Sequence, residues 1–159
     1  MTHITQERLH ELFNYKDGSL YLNIPTHKTS TSSPVGSKNG TGRLLVWCDG
    51  RPYLVHRLVF LYHHGFLPAI VDHADNNPLN NSIENLRAAS RAENSRNCTI
   101  RKDNKTRVKG VYPYKGKFRA HLRIDGKLTY LGSFKTIEEA AGVVKQAREK
   151  HHQEFARHE

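Results

Sequence analysis

The chain has 159 residues and a formal charge of +10, from 25 Lys and Arg against 15 Asp and Glu. That length fits one domain or two small ones. A mean hydropathy of −0.71, with no run of about 18 apolar residues, argues against a membrane-spanning helix. The opening MTHITQERLHELF has no basic stretch followed by an apolar run, so no secretory signal is expected. Cys48 and Cys98 stand far apart and make neither a disulfide framework nor a CxxC metal site, a usage that suits a reducing cytosol. A pI near 9.8 favours a polyanionic partner, with nucleic acid ahead of a membrane surface. The charge is uneven: residues 1–100 carry ten basic and eight acidic side chains, residues 101–159 fifteen and seven. Sequence-independent attraction to phosphates belongs to the last third.

In chain order, Thr5 is placed to cap a short helix whose apolar face is Leu9, Leu12 and Phe13. Asp17-Gly18 reads as a hairpin turn leading into the alternation Leu20, Leu22, Ile24. Residues 25–43, rich in Thr, Ser, Gly and Lys, read as a long mobile loop. LLVWC, Asp49-Gly50 and PYLV form a second hairpin, and a helix from about His56 to His64 ends at Gly65. Residues 98–108 carry one apolar pair among many charges and read as a linker.

The most informative stretch is IVDHADNNPLNNSIENLRAASRAENSRN, residues 70–97. A short strand, Ala69-Ile70-Val71, delivers Asp72-His73, and an Asn-rich loop follows. A second strand begins near Asn85-Leu86, and the capping box Ser90-x-x-Glu93 starts a helix at Arg91. Asn94 then sits in an early turn of that helix. A carboxylate and an amide oxygen are hard ligands that suit Mg²⁺ or Mn²⁺ and leave room for water and phosphate oxygens. Successive strand side chains point to opposite faces. Asp72 is therefore able to bind a metal while His73 addresses an attacking water, since an imidazole accepts a proton near neutral pH. This layout suits metal-assisted phosphodiester hydrolysis. The remaining histidines form no zinc spacing with Cys48 or Cys98, and His63 and His64 read as the exposed end of a helix.

Residues about 44–97 resemble the HNH nucleases, most closely the phage and intron-encoded homing endonucleases. The resemblance is carried by His56-Arg57-Leu58, Asp72-His73-x-Asp75, Asn77-Pro78-Leu79-Asn80-Asn81, Glu84-Asn85-Leu86-Arg87 and Glu93-Asn94-Ser95. It implies a ββα-metal nuclease module with Asp72 and Asn94 as metal ligands and His73 as general base. Asn85 would tie the loop together through backbone hydrogen bonds, and His56 would be structural. Asn76 stands where the family often has Gly, and Asn is the next best residue for a left-handed backbone.

Residues 109–159 read as three strands and a helix. Lys109–Tyr114 is a strand and Lys115-Gly116 a turn. KFRAHLRI alternates, with Phe118, Ala120, Leu122 and Ile124 on one face and Lys117, Arg119, His121 and Arg123 on the other. Asp125-Gly126 is a type I′ turn that sets Ile124 opposite Lys127 and His121 opposite Tyr130. Thr136 and Glu139 cap a helix whose apolar positions are Ile137, Ala140, Ala141, Val144, Ala147 and His151 or Phe155. The exposed face is basic and aromatic, suited to phosphates and major-groove base edges; the alternative is an ordinary polar outer face.

This stretch resembles the plant Apetala/ethylene-response-factor DNA-binding domain, through Gly110-Val111-Tyr112, Lys117-Phe118-Arg119-Ala120, Asp125-Gly126-Lys127, Tyr130-Leu131-Gly132-Ser133-Phe134 and Glu138-Glu139-Ala140-Ala141. It implies a DNA-facing set of Arg119, His121, Arg123 and Tyr130, with Tyr112 and Lys117 at its edge. The family commonly has Trp at the position of Tyr130.

The sequence therefore predicts an α+β chain: a nuclease domain over residues 1–97 with its motif core at 44–97, the linker 98–108, and a three-stranded antiparallel sheet packed on one helix over 109–159. The function it predicts is a Mg²⁺- or Mn²⁺-dependent endonuclease, a phosphodiester hydrolase acting on double-stranded DNA. Site-specific homing, nicking as a monomer or weak dimer, and the cytoplasm of a phage-infected bacterium complete the expectation, with no membrane and no small-molecule cofactor. The rivals are a non-catalytic sequence-specific DNA-binding regulator, which a metal-dependent nicking assay separates, and an RNA-binding protein, which competition between duplex DNA and structured RNA separates.

Overall fold

A computed structural model describes residues 4–97, 100 and 103–152. The chain is mixed α/β and divides into two compact units, Met1–Ser90 and Arg91–Glu159.

In the first unit Thr5 caps α1 (Gln6–Leu12), its hydroxyl accepting the Arg8 N–H at 3.2 Å. Antiparallel β1 (Phe13–Lys16) and β2 (Ser19–Leu22) follow. Asp17 and Gly18 both take positive φ, +47° and +76°, the type I′ geometry whose twist matches the flanking strands. The expected alternation stops at Leu22, because Ile24 lies beyond the strand and is exposed.

Residues 25–43 depart from the expected mobile loop. Val35 is buried and its N–H donates to the Leu20 carbonyl at 2.8 Å, and Pro34 bridges Tyr21. β3 (Ser37–Lys38) then pairs with β4 (Leu44–Cys48). One apolar residue in a polar run suffices to dock the segment, and the edge of β2 takes up its backbone polar groups.

The hairpin of β4 and β5 (Arg51–Leu54) turns at Asp49-Gly50, which Arg8 grips through both carboxylate oxygens at 3.0 and 3.1 Å. α2 (Val55–His64) ends on left-handed Gly65, φ +73°. Val55, Leu58 and Val59 of α2 pack with Leu9, Phe13 and Leu20 in the core. Against this core lie β6 (Ile70–His73), a single 3₁₀ turn (Ile83–Asn85) and β7 (Leu86–Ala89). β6 and β7 pair antiparallel, Asp72 opposite Arg87 and His73 opposite Leu86.

The second unit begins with α3 (Arg91–Asn97), the helix expected from Arg91. Within the expected linker, Thr106 is nearly buried and its hydroxyl reaches the Val111 carbonyl at 2.8 Å, so this part turns back onto the sheet. β8 (Val111–Tyr114), β9 (Lys117–Ile124) and β10 (Lys127–Phe134) form an antiparallel sheet in the order β10-β9-β8. Ile124 pairs with Lys127 and His121 with Tyr130, as the type I′ turn requires.

One feature of β10 escapes the turn rule. A bulge between Tyr130 and Gly132 shifts the register, so that Gly132 faces Ala120. Gly132 has φ +140°, and a Cβ there would come within 2.8 Å of the Phe134 ring. α4 (Ile137–His152) starts with the predicted capping box, Thr136 Oγ1 accepting the Glu139 N–H and Glu139 accepting from the Thr136 and Lys135 N–H groups. Val111, Ala120, Ala140 and Val144 form the core between sheet and helix. Arg148, not His151, takes the next buried position on α4, and its guanidinium donates to the Lys109 carbonyl. His151 is exposed, and Phe155 lies outside the described residues. No described helix is long and apolar enough to cross a membrane.

Candidate active site and nucleic-acid face

β6 carries Asp72 and His73 into the interior of the first unit, where they are 6% and 5% exposed. A buried polar group costs free energy unless it is partnered, and each has a specific neighbour. The Asp72 Oδ2 accepts the Arg87 Nε–H at 3.1 Å. The His73 Nε2 lies 3.0 Å from the Asn81 Oδ1, and Asn81 is itself 2% exposed. The ring of His56, from α2, stands 4.9 Å from the His73 ring between centroids. Burial pushes the His56 pKa down to about 3, with electrostatic repulsion from His73, Arg43 and Arg57 adding to the effect. His56 therefore packs as a neutral ring near neutral pH.

The loop between β6 and β7 is built from amide and carboxylate side chains. Asn85 Oδ1 accepts the Asp75 N–H at 3.0 Å, and its Nδ2 donates to the Asn80 carbonyl at 2.8 Å and to Asp75 Oδ1 at 2.9 Å. Asp75 also accepts from Asn80 Nδ2 and the Asn77 N–H. Burial alone would raise the Asp75 pKa, but these hydrogen bonds and the nearby His73 outweigh it and hold the carboxyl below its ordinary value. Asn76 adopts φ +59°, the left-handed turn for which Asn stands in for Gly. The Ala74 N–H donates to the Asn85 carbonyl and the Asn76 N–H to the His73 carbonyl, so the loop closes directly beneath His73.

The structure thus gathers Asp72, His73, His56 and Asn85 in one unit. Asn94 stands on α3, which belongs to the second unit. Two residues that sequence reasoning gave no role, Asn81 and Arg87, are the immediate partners of His73 and Asp72. Arg87 was legible in principle, because pairing the two strands about the closed loop sets it opposite Asp72. Nothing local marks Asn81 among the neighbouring asparagines.

Residues 53–96 match the family model for HNH endonuclease. Over 89 residues the chain is 37% identical to Protein 3.8 of Escherichia phage T7, covering 55% of this chain and 73% of that protein. The chain is of one family with that phage protein and carries an HNH endonuclease domain over residues 53–96. No solved structure matches it. The HNH match begins within β5 and runs through α2, the β6–β7 hairpin and into α3, and so contains His56, Asp72, His73, Asn85 and Asn94. Among the described residues no group of three or more His, Cys, Asp or Glu gathers to hold a metal. The oxygen donors that this HNH chain offers are a carboxylate and amides, which fit a hard divalent cation that keeps part of its water shell rather than tetrahedral zinc.

The second unit presents the predicted basic and aromatic face. His121 on β9 lies between Tyr112 on β8 and Tyr130 on β10, with ring centroids 5.9 and 5.3 Å away. Tyr130 is 55% exposed and Tyr112 52%. The Arg119 guanidinium carbon lies over the Tyr114 ring, 3.4 Å from its centroid, a cation–π contact that sequence reasoning missed. Arg123 bends back onto its own turn, donating to the Gly126 carbonyl at 2.6 Å. Lys117 is exposed at the start of β9.

Proposed function

We propose that the chain is a metal-dependent endonuclease that hydrolyses phosphodiester bonds of double-stranded DNA, with His73 as general base and Asp72 and Asn94 as ligands of one Mg²⁺ or Mn²⁺. The observation that carries the reading is the buried, fully oriented Asp72-His73 pair at the end of β6, inside the stretch that matches the HNH model. When bound, the cation supplies charge neutralisation at the phosphate and stabilises the departing oxygen. The chain's own residues do the rest. His73 takes the proton of the attacking water, and His56 walls the imidazole on one side. Asn85 keeps the loop closed under the base, and Arg87 holds the Asp72 carboxylate in one orientation.

On this reading, residues 1–97 are the nuclease module and 98–108 the connection. Residues 109–159 are an Apetala/ethylene-response-factor-like DNA-binding module that uses Tyr112, Lys117, Arg119, His121, Arg123 and Tyr130. One metal site per chain makes the monomer a nicking enzyme, and a separate recognition face suits a site-specific homing endonuclease.

The test is plasmid nicking with Mg²⁺ or Mn²⁺. His73→Ala lowers the rate by about 10²–10⁴-fold, the usual worth of acid–base help, and leaves DNA affinity nearly unchanged. Asp72→Ala and Asn94→Ala weaken Mn²⁺ binding in calorimetry. A wild-type rate in His73→Ala, or unchanged metal affinity in both ligand variants, would remove the assignment.

A further inference from the structure

We infer that Asn81 is a positioning residue that decides which nitrogen of His73 receives the proton. The inference rests on the nuclease reading for its effect on cleavage, and on geometry alone for its effect on the imidazole.

The two side chains meet in a buried place, 5% and 2% exposed, with His73 Nε2 and Asn81 Oδ1 separated by 3.0 Å. An amide oxygen only accepts hydrogen bonds. The contact therefore requires the proton on Nε2, and a neutral imidazole with Nε2–H has its lone pair on Nδ1. Asn81 is well placed to impose this choice because the residue before it and its own N–H are held. Asn80 is fixed by Asp75 at 2.7 Å and by Asn85 at 2.8 Å, and the Asn81 N–H donates to the Leu79 carbonyl. The network around Asn85 thus ends in the atom that touches the base.

The chemical consequence follows by proton bookkeeping. A water O–H bond breaks as an N–H bond forms at Nδ1. The resulting hydroxide makes the new P–O bond while the bond to the departing ester oxygen breaks. His73 then carries a proton on both nitrogens, and the Nε2–H···Oδ1 bond becomes charge-assisted and stronger. Asn81 therefore favours the protonated base in the transition state more than the neutral base in the ground state, which is the condition for raising kcat rather than lowering KM.

The experiment uses the full chain labelled with ¹⁵N-histidine, at mildly alkaline pH. Long-range ¹H–¹⁵N correlation reports the His73 tautomer in the wild type, Asn81→Asp and Asn81→Leu, and steady-state nicking is measured beside it. The expected result is Nε2–H with a downfield, slowly exchanging proton in the wild type and in Asn81→Asp, which keeps an acceptor. Asn81→Leu loses that proton's protection, and its kcat falls by about 10²-fold, the cost of a mispositioned group, at unchanged KM. Nδ1–H in the wild type overturns the inference, and that measurement needs no variant to fold. So does Asn81→Leu with wild-type kcat and a still-protected proton. A wild type that shows protected Nε2–H yet never cuts DNA supports the Asn81 contact and sinks the nuclease reading instead.

Discussion

Arg87 sits directly across the β6–β7 hairpin from Asp72, and its Nε donates to the Asp72 Oδ2 at 3.1 Å. Both side chains are largely removed from water. A pair in this position does two things. It places a positive charge against a buried carboxylate, and it restrains the carboxylate's rotation about the Cβ–Cγ bond. Arg87→Leu is expected to destabilise the chain by about 1–3 kcal/mol, the cost of removing a charged hydrogen-bond partner from a buried carboxylate. Arg87→Lys keeps the charge but not the planar donor and falls between. Urea denaturation measures both. An Arg87→Leu variant as stable as the wild type would show that the pair contributes nothing net.

Asn85 is expected to matter through the loop rather than through the reaction. Asn85→Ala removes the acceptor for the Asp75 N–H and the donor to the Asn80 carbonyl at once, and leaves both groups short of a partner. The thermal midpoint and the cleavage rate should fall together. Asp75→Asn keeps the size of the side chain but removes its charge and one of its acceptors, so it should lower stability by a smaller amount. Loss of rate in Asn85→Ala with an unchanged melting temperature would instead place Asn85 in contact with the reacting groups.

These loop contacts also mark where sequence reading stops. The elements themselves were written in local signals: Thr5 and the Thr136–Glu139 box at helix starts, Gly65 at a helix end, and the Asp-Gly and Lys-Gly turns that fixed the strand registers. Asp72, His73 and Asn85 stood out as candidates because their order along the chain is the motif. Asn81 and Arg87 act across space, and an asparagine in a run of asparagines carries no label for the one that turns inward. Val35 docks the 25–43 segment through a single side chain, too faint for any periodicity. The bulge at Tyr130–Gly132 comes from one unpaired residue, which alternation cannot announce. Arg148 took a place expected for an apolar residue because its guanidinium found the Lys109 carbonyl.

His56 makes the first unit sensitive to acid. Its folded pKa is depressed to about 3, against about 6.5 for an unfolded histidine. Between those values the unfolded chain binds a proton that the folded chain refuses, so stability falls as pH drops through that window. The slope is at most about 1.4 kcal/mol per pH unit for one group. Asp75, held below its ordinary value, works in the same direction, but only where the unfolded carboxyl begins to protonate, below roughly pH 4–5. Denaturant titrations at pH 7, 6, 5 and 4 should show a steady loss that begins near pH 6.5, and His56→Phe should flatten it. Stability that is constant from pH 7 to 5 in the wild type would contradict the depressed His56.

The two arginines on the exposed sheet face should not be equivalent on DNA. The Arg119 guanidinium rests against the Tyr114 ring, which restrains the side chain and lowers the entropy lost when it binds. Arg123 is turned back to the Gly126 carbonyl and must give up that bond to reach a base. If the face enters the major groove, Arg119→Ala should weaken binding to the preferred site by about 1–3 kcal/mol and relax discrimination there. Arg123→Ala should cost less, and alike on every sequence, with the salt slope reduced by about one phosphate's worth, roughly 0.9 log unit per log unit of salt. Tyr114→Leu, which removes the plate beneath Arg119, should reproduce part of the Arg119→Ala loss without changing net charge. Affinities measured at several salt concentrations on specific and random duplexes separate these cases. Equal, sequence-independent losses for both arginines would mean that the sheet holds the DNA backbone and leaves the choice of site to another part of the chain.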